Sequence, residues 1–200
     1  IKESCLEARK RNIISIIDGA HVPGHINLSI SSIDPDIYVG ACHKWMMAPK
    51  GSSFLYAKQS IQSKLKPLVI SWGWESDNPS DSEFLDHHQY QGTNDISGYL
   101  SVPKAIEFLR ENNWDEIRGV CRARIIETRN ILLRTSGTKA LCDENLLGQM
   151  TSVKINVSDR EDLYRFLKKN KVFSYSFPSK KIISYTTFGS INKAPVIKHV

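Results

Sequence analysis

Ile13-Ile14-Ser15-Ile16-Ile17-Asp18-Gly19-Ala20-His21 and Ile37-Tyr38-Val39-Gly40-Ala41-Cys42-His43-Lys44-Trp45 decide how this chain is read. Each begins as a short apolar run and ends on groups that can do chemistry. The first, dense in β-branched residues, reads as a strand buried on both faces, as in a parallel sheet covered by helices. In open α/β sheets ligands gather beyond the carboxyl ends of the strands. Asp18 ends the first run and Lys44 lies just past the second, so the pattern predicts a carboxylate and an amine delivered from neighbouring strand ends.

Outward from these runs, Glu3–Arg11 reads as the polar end of a helix feeding into the first strand. Pro23-Gly24 turns the chain, and Ile30–Pro35 forms a short helix or turn. Gly51–Ala57 is a third strand. Its connection from Lys44 is too short for a helical crossover, so it runs antiparallel to a neighbour. Residues 67–93 are irregular and rich in Trp, Gly, Ser, Asp and His, a length of loop that is uncommon without a function. Ser97–Asn112 is a helix with Leu100, Ala105, Ile106 and Leu109 as its apolar positions. Trp114–Arg134 is a longer one with Ile117, Val120, Ile125, Ile126 and Leu132 inward. Thr151–Val157 alternates as a half-exposed strand does. Ser158 caps a helix to Asn170, and strands are expected within Val172–Phe177 and Lys181–Thr187. The domain boundary is expected near Asn112–Asp115, giving domains of residues 1–112 and 113–200.

The 200 residues suffice for one substantial domain, or one and part of another. The chain opens on Ile1 within a helix-like stretch, and is expected to be a fragment of a longer polypeptide lacking its N-terminal half. The net charge of +6 raises the possibility of a nucleic-acid or anionic partner. The basic residues are scattered, however, and the dense run Lys168-Lys169-Asn170-Lys171 closes a helix, where cations suit the dipole. A solvated basic surface is therefore preferred to a nucleic-acid-binding one. The cysteines at 5, 42, 121 and 142 form no C-x-x-C pair, which suggests neither a zinc site nor a disulfide framework. Reduced thiols in the cytoplasm are expected. No apolar run reaches the ~18 residues a membrane helix needs, and no signal peptide is expected.

Lys44 is flanked by Cys42, His43, Trp45, Met46 and Met47. Such apolar, partly dry surroundings favour an amine's neutral form, the nucleophile toward aldehydes. A pyridoxal phosphate enzyme needs this lysine for its Schiff base, and a rigid carboxylate such as Asp18 to keep the pyridine nitrogen protonated. His21 is a donor to the cofactor's phenolic oxygen or a support for the Pro23-Gly24 turn. His43 contacts a phosphate or makes a structural hydrogen bond. Gly92-Thr93 offers a backbone N–H and a hydroxyl to phosphate. His87 and His88 read as solvated loop residues, and Cys42 as a buried structural thiol. No metal site is expected.

Taken together, Asp18-Gly19-Ala20-His21-Val22-Pro23-Gly24, Cys42-His43-Lys44-Trp45, Ala48-Pro49-Lys50-Gly51, Leu68-Val69-Ile70-Ser71-Trp72-Gly73 and Gly92-Thr93-Asn94-Asp95 resemble the class V aminotransferase family, nearest its isopenicillin N epimerase-like branch. The resemblance runs from Ile1 to about Arg134, and more loosely beyond. It implies the α/β PLP-transferase type I fold, with the C-terminal part of a large, mostly parallel-sheet domain over residues 1–112. Residues 113–200 would be a small α+β domain, itself incomplete. It implies pyridoxal 5'-phosphate as cofactor, Lys44 as the Schiff-base lysine and proton carrier at the substrate's Cα, Asp18 at the pyridine nitrogen, His21 near the phenolic oxygen and His43 at the phosphate. Thr93 would reach the phosphate of the neighbouring subunit's cofactor, which implies a homodimer with shared sites.

Two departures stand out. The family's first half supplies a phosphate-binding turn and an aromatic that stacks on the cofactor ring, and neither is in this chain, so the fragment alone is expected to be inactive. Many members also carry Arg-Ile-Ser near the C-terminus, the arginine clamping the substrate carboxylate. The matching stretch here is Ile182-Ile183-Ser184, with Lys180 and Lys181 beside it, and a lysine's point charge is not a planar fork. The leading expectation is an enzyme acting at the Cα of an amino acid, by epimerisation or C–S cleavage ahead of transamination. The alternatives are a truncated or degenerate relative without turnover and a basic nucleic-acid-binding module.

Overall fold

The first two strands form, and they are parallel. β1 (Ile16–Asp18) pairs with β2 (Ile37–Ala41) so that Ile16 stands opposite Ile37 and Asp18 opposite Val39. β3 (Ser53–Ala57) pairs antiparallel with β2, Val39 opposite Leu55, as the short connection requires. The computed structural model describes residues 1–170, 172, 175–177 and 182–186, which fall into two units, Ile1–Phe108 and Leu109–Val200.

The register of β1 on β2 is held at its start. The Ser15 N–H and hydroxyl both donate to the Asp36 carboxylate at 2.9 Å, and the Asp36 N–H donates back to Ser15 Oγ at 3.0 Å. These bonds, with the first from the Ser15 backbone, hold the Asp36 carboxyl below the usual carboxylate range. A slip of one residue would move Asp18 to the other side of the sheet, so this exchange also sets where Asp18 stands.

The two faces of the sheet differ. Tyr38, 1% exposed, lies on one and stacks on Phe54 with ring centroids 6.1 Å apart. Gly19 must lack a side chain there, because a Cβ would fall 2.0 Å from the Tyr38 hydroxyl. That hydroxyl is buried without a hydrogen-bond partner. On the other face Ile37, Ala41 and Ala57 are buried, but Ile16 is 66% exposed and Val39 and Leu55 are also exposed. This corrects the expectation of a strand buried on both sides. β1 is only three residues long, and among the described residues no element packs over Ile16.

The first unit also holds α1 (Lys2–Lys10), α2 (Ile30–Ile33), α3 (Gln59–Gln62), α4 (Glu83–Gln89), α5 (Ser97–Leu100) and the start of α6 (Val102–Glu111). α4 lies in the stretch expected to be irregular. Ser82 caps it, its hydroxyl accepting from the Leu85 N–H at 3.3 Å.

In the second unit α7 (Trp114–Ser136) packs on β4 (Met150–Lys154). Its buried stripe is Trp114, Cys121, Ile125 and Arg129. Val120, expected inward, is exposed, because the stripe follows Cys121-Ile125-Arg129 at i, i+4. Arg129 is buried and donates to the Cys142 carbonyl, while Arg122 donates to the carbonyls of Leu147 and Glu144, each at 3.0 Å. α8 (Arg160–Lys169) is capped by Asp159 rather than Ser158. The Asp159 carboxylate accepts from the N–H groups of Glu161 and Asp162. β5 (Tyr175–Phe177) and β6 (Ile182–Thr186) complete an antiparallel sheet in the order β4-β6-β5. Lys171, Lys180 and Lys181 lie outside the described residues. Among the described residues no helix is long and apolar enough to cross a membrane, and no group of three or more His, Cys, Asp or Glu side chains could hold a metal ion.

Candidate active site

Two loops leave the carboxyl end of the parallel pair, and their contact builds the site. After β1, the Gly19 N–H donates to the Val39 carbonyl at 2.9 Å, extending the pairing one residue. The Ala20 N–H then donates to Asp18 Oδ1 at 3.0 Å, an Asx turn that fixes the carboxylate. The chain reverses through Pro23-Gly24, where Gly24 has φ +78.

After β2, the Ser52 carbonyl accepts from the N–H groups of Cys42 (3.0 Å) and His43 (3.2 Å) and from His43 Nδ1 (2.8 Å). Ser52 is fully buried, so one rigid oxygen at the head of β3 anchors the turn that carries Lys44. The Ala48 N–H closes that turn on the Cys42 carbonyl at 3.1 Å.

The two loops meet backbone to backbone at Gly24. A Cβ there would lie 2.5 Å from the Trp45 carbonyl oxygen. Gly24→Ala therefore combines a left-handed φ with a clash against main chain, and each effect costs about 1–3 kcal/mol. Its denaturation midpoint is expected to fall by a corresponding amount in urea.

Side chains follow the same contact. Trp45, 2% exposed, donates its indole N–H to His21 Nδ1 at 3.3 Å. It stacks on His25 with centroids 4.1 Å apart and planes 8° from parallel. His25 Nδ1 donates to the His21 carbonyl at 3.1 Å. The His21 pKa lies below the ordinary histidine value, chiefly because the ring is partly buried and then because Lys44 is positive; the Asp18 carboxylate pulls the other way. Burial and the Lys44 charge thus favour the neutral imidazole of His21, against the pull of Asp18. Asp18, His21 and Lys44 are together at one end of the sheet.

His43 sits beside Lys44 with its Nδ1–H spent on Ser52, so only a protonated ring could offer a second N–H. Cys42 is buried, and burial pushes its thiol pKa up, which leaves it unreactive. Gly92 and Thr93 belong to another loop: Gly92 has φ +100 and lies beside Ser71, and Thr93 is exposed. The expectation for His87 and His88 is corrected. Both lie on α4, where His87 stacks on Trp74 at 4.4 Å with its side chain only 10% exposed, and His88 packs on Phe84. Sequence reasoning missed the parts of Trp45, His25 and Ser52. The signal available was a tryptophan directly after the lysine.

The aminotransferase class-V family model matches residues 1–175. The chain belongs to this family. It is 33% identical to isopenicillin N epimerase of Amycolatopsis lactamdurans over 165 residues, which cover 76% of this chain and 41% of that protein. It is 28% identical to hercynylcysteine sulfoxide lyase of Schizosaccharomyces pombe over 134 residues, 65% of this chain and 34% of that protein. Among solved structures it superposes on the apo structure of a cysteine desulfurase from Thermococcus onnurineus NA1 with a TM-score of 0.78 at 13% identity, covering 97% of this chain and 52% of that one. The fold is accordingly the type I fold of this class V family, and the chain matches between about a third and a half of the length of these relatives.

Proposed function

We propose that this chain carries the lysine-bearing part of a pyridoxal phosphate site that acts at the Cα of an amino acid, with epimerisation or C–S cleavage as the outcome. The observation that carries this is the gathering of Asp18, His21 and Lys44 beyond one end of β1 and β2, with His21 sensing the charges of both others. The donor set fits the cofactor: a carboxylate for a ring nitrogen, an imidazole N–H for a phenolic oxygen and an amine for an aldehyde. When bound, pyridoxal phosphate supplies an electron sink for charge developing at Cα. Asp18 would hold the proton at the pyridine nitrogen. Lys44 would move the proton at Cα, from a turn whose backbone the Ser52 carbonyl anchors. His43, held through Nδ1 to the Ser52 carbonyl, would stand at the phosphate, and Gly92 and Thr93 would serve the site of a second copy of the chain.

That second copy is supported by the loop carrying Thr93. Leu68, Ile70 and Trp72 before that loop and Tyr99 and Leu100 after it are all more than half exposed, apolar groups that a second copy of the chain would cover. Relatives named for epimerisation and for sulfoxide lysis support the ranking over transamination.

The test is exchange at Cα. The full-length polypeptide that carries this chain is incubated with pyridoxal phosphate and single amino acids in D2O, and loss of the Cα–H signal is followed by NMR. Exchange of at least one amino acid is expected, and it precedes every outcome considered. Absence of exchange across the proteinogenic set would favour the second reading, a relative without turnover, which Ile182 in place of the family's arginine supports.

A further inference from the structure

We infer that Trp45 is a positioning residue that decides which nitrogen of His21 carries the proton, so that His21 offers a fixed Nε2–H donor to an anionic oxygen of the ligand. The argument begins with the indole. Its N–H can only donate, so the His21 Nδ1 facing it at 3.3 Å must present a lone pair. A neutral imidazole with Nδ1 as acceptor has its proton on Nε2.

The same reasoning gives His25 the opposite form. A carbonyl can only accept, so the His25 Nδ1 placed 3.1 Å from the His21 carbonyl carries the proton. The two rings bracket Trp45. One takes its N–H and the other lies flat against its face at 4.1 Å. Trp45 has little freedom to break this arrangement, since it is 2% exposed and its backbone lies against Gly24.

The effect is a form of pre-organisation. A free neutral imidazole exchanges between its two tautomers. Here one is selected before any ligand arrives, and protonation of the ring would cost the indole bond as well. Burial and the charge of Lys44 act in the same direction. That the oxygen belongs to pyridoxal phosphate rests on the function proposed above. The tautomer does not, and the experiment is therefore run without ligand.

Two-bond 15N–1H correlation spectra of 15N-histidine-labelled protein near pH 7 report the protonation of each ring nitrogen, with His21→Gln and His25→Gln used for assignment. His21 is expected to show a pyridine-type Nδ1 and a pyrrole-type Nε2, and His25 the reverse. Trp45→Phe keeps an aromatic ring against His25 and removes the donor. In it His21 should become a mixture of tautomers and titrate at higher pH, while His25 is unchanged. If Trp45→Phe does not fold, 3-benzothienylalanine at position 45 replaces the N–H by sulfur in nearly the same shape and should give the same result. A wild-type His21 protonated on Nδ1, or a His21 tautomer indifferent to loss of the indole N–H, would overturn the inference.

Discussion

Lys44→Ala is expected to lose Cα exchange by about 10²–10⁴-fold or more, the range for removing one group that transfers a proton, and to lose any visible absorbance induced by pyridoxal phosphate. The fold should survive. The turn around Lys44 is closed by backbone bonds, Cys42 and His43 to the Ser52 carbonyl and Ala48 to the Cys42 carbonyl, and none uses the lysine side chain. The melting temperature should therefore change little, since substitutions away from packed or paired positions stay within about 0.5 kcal/mol. One further effect is independent of catalysis. The positive charge of Lys44 depresses the His21 pKa, so without it His21 should titrate at higher pH. An active Lys44→Ala protein with His21 unchanged would show that the amine is elsewhere.

Asp18→Asn tests the opposite end. Asparagine keeps an Oδ1 acceptor for the Ala20 N–H, so the Asx turn is retained and only the charge goes. Losing one partner of a charged, hydrogen-bonded pair costs about 2–5 kcal/mol, and each 1.4 kcal/mol is tenfold. Activity is expected to fall roughly 10²-fold or more. The Asp18 carboxylate raises the His21 pKa, so Asp18→Asn should lower it further. The two substitutions thus move one histidine in opposite directions, a result that general destabilisation would not produce. Histidine NMR titrations of the two variants beside the wild type read this directly.

What the sequence made legible was local. Ile37–Ala41 is an apolar run with a lysine just past its end, and it is a strand. The step from Lys44 to β3 is too short for a crossover, and β3 is antiparallel. The parts that escaped depend on distant packing. The isoleucines before Asp18 suggest burial on two sides, but whether a face is covered depends on what lies over it, and Ile16 is open. α4 was hidden because its residues, Glu83-Phe84-Leu85-Asp86-His87-His88-Gln89, sit among turn-forming neighbours, although Ser82 is an ordinary helix cap. The link from Trp45 to His21 and His25 crosses between two loops and exists only because Gly24 lets their backbones touch. Asp159 rather than Ser158 caps α8, a one-residue choice between two good acceptors.

The central claim is that the amine of residue 44 and the carboxylate of residue 18 serve one aromatic aldehyde. The most direct measurement is to add pyridoxal phosphate to the full-length polypeptide that carries this chain, reduce with borohydride, digest, and locate the pyridoxyl group by mass spectrometry, comparing wild type with Asp18→Asn. The label is expected on Lys44 and, at limiting aldehyde, in smaller yield when Asp18 is replaced. A label on another lysine, or none at Lys44 under saturating aldehyde, would contradict the account.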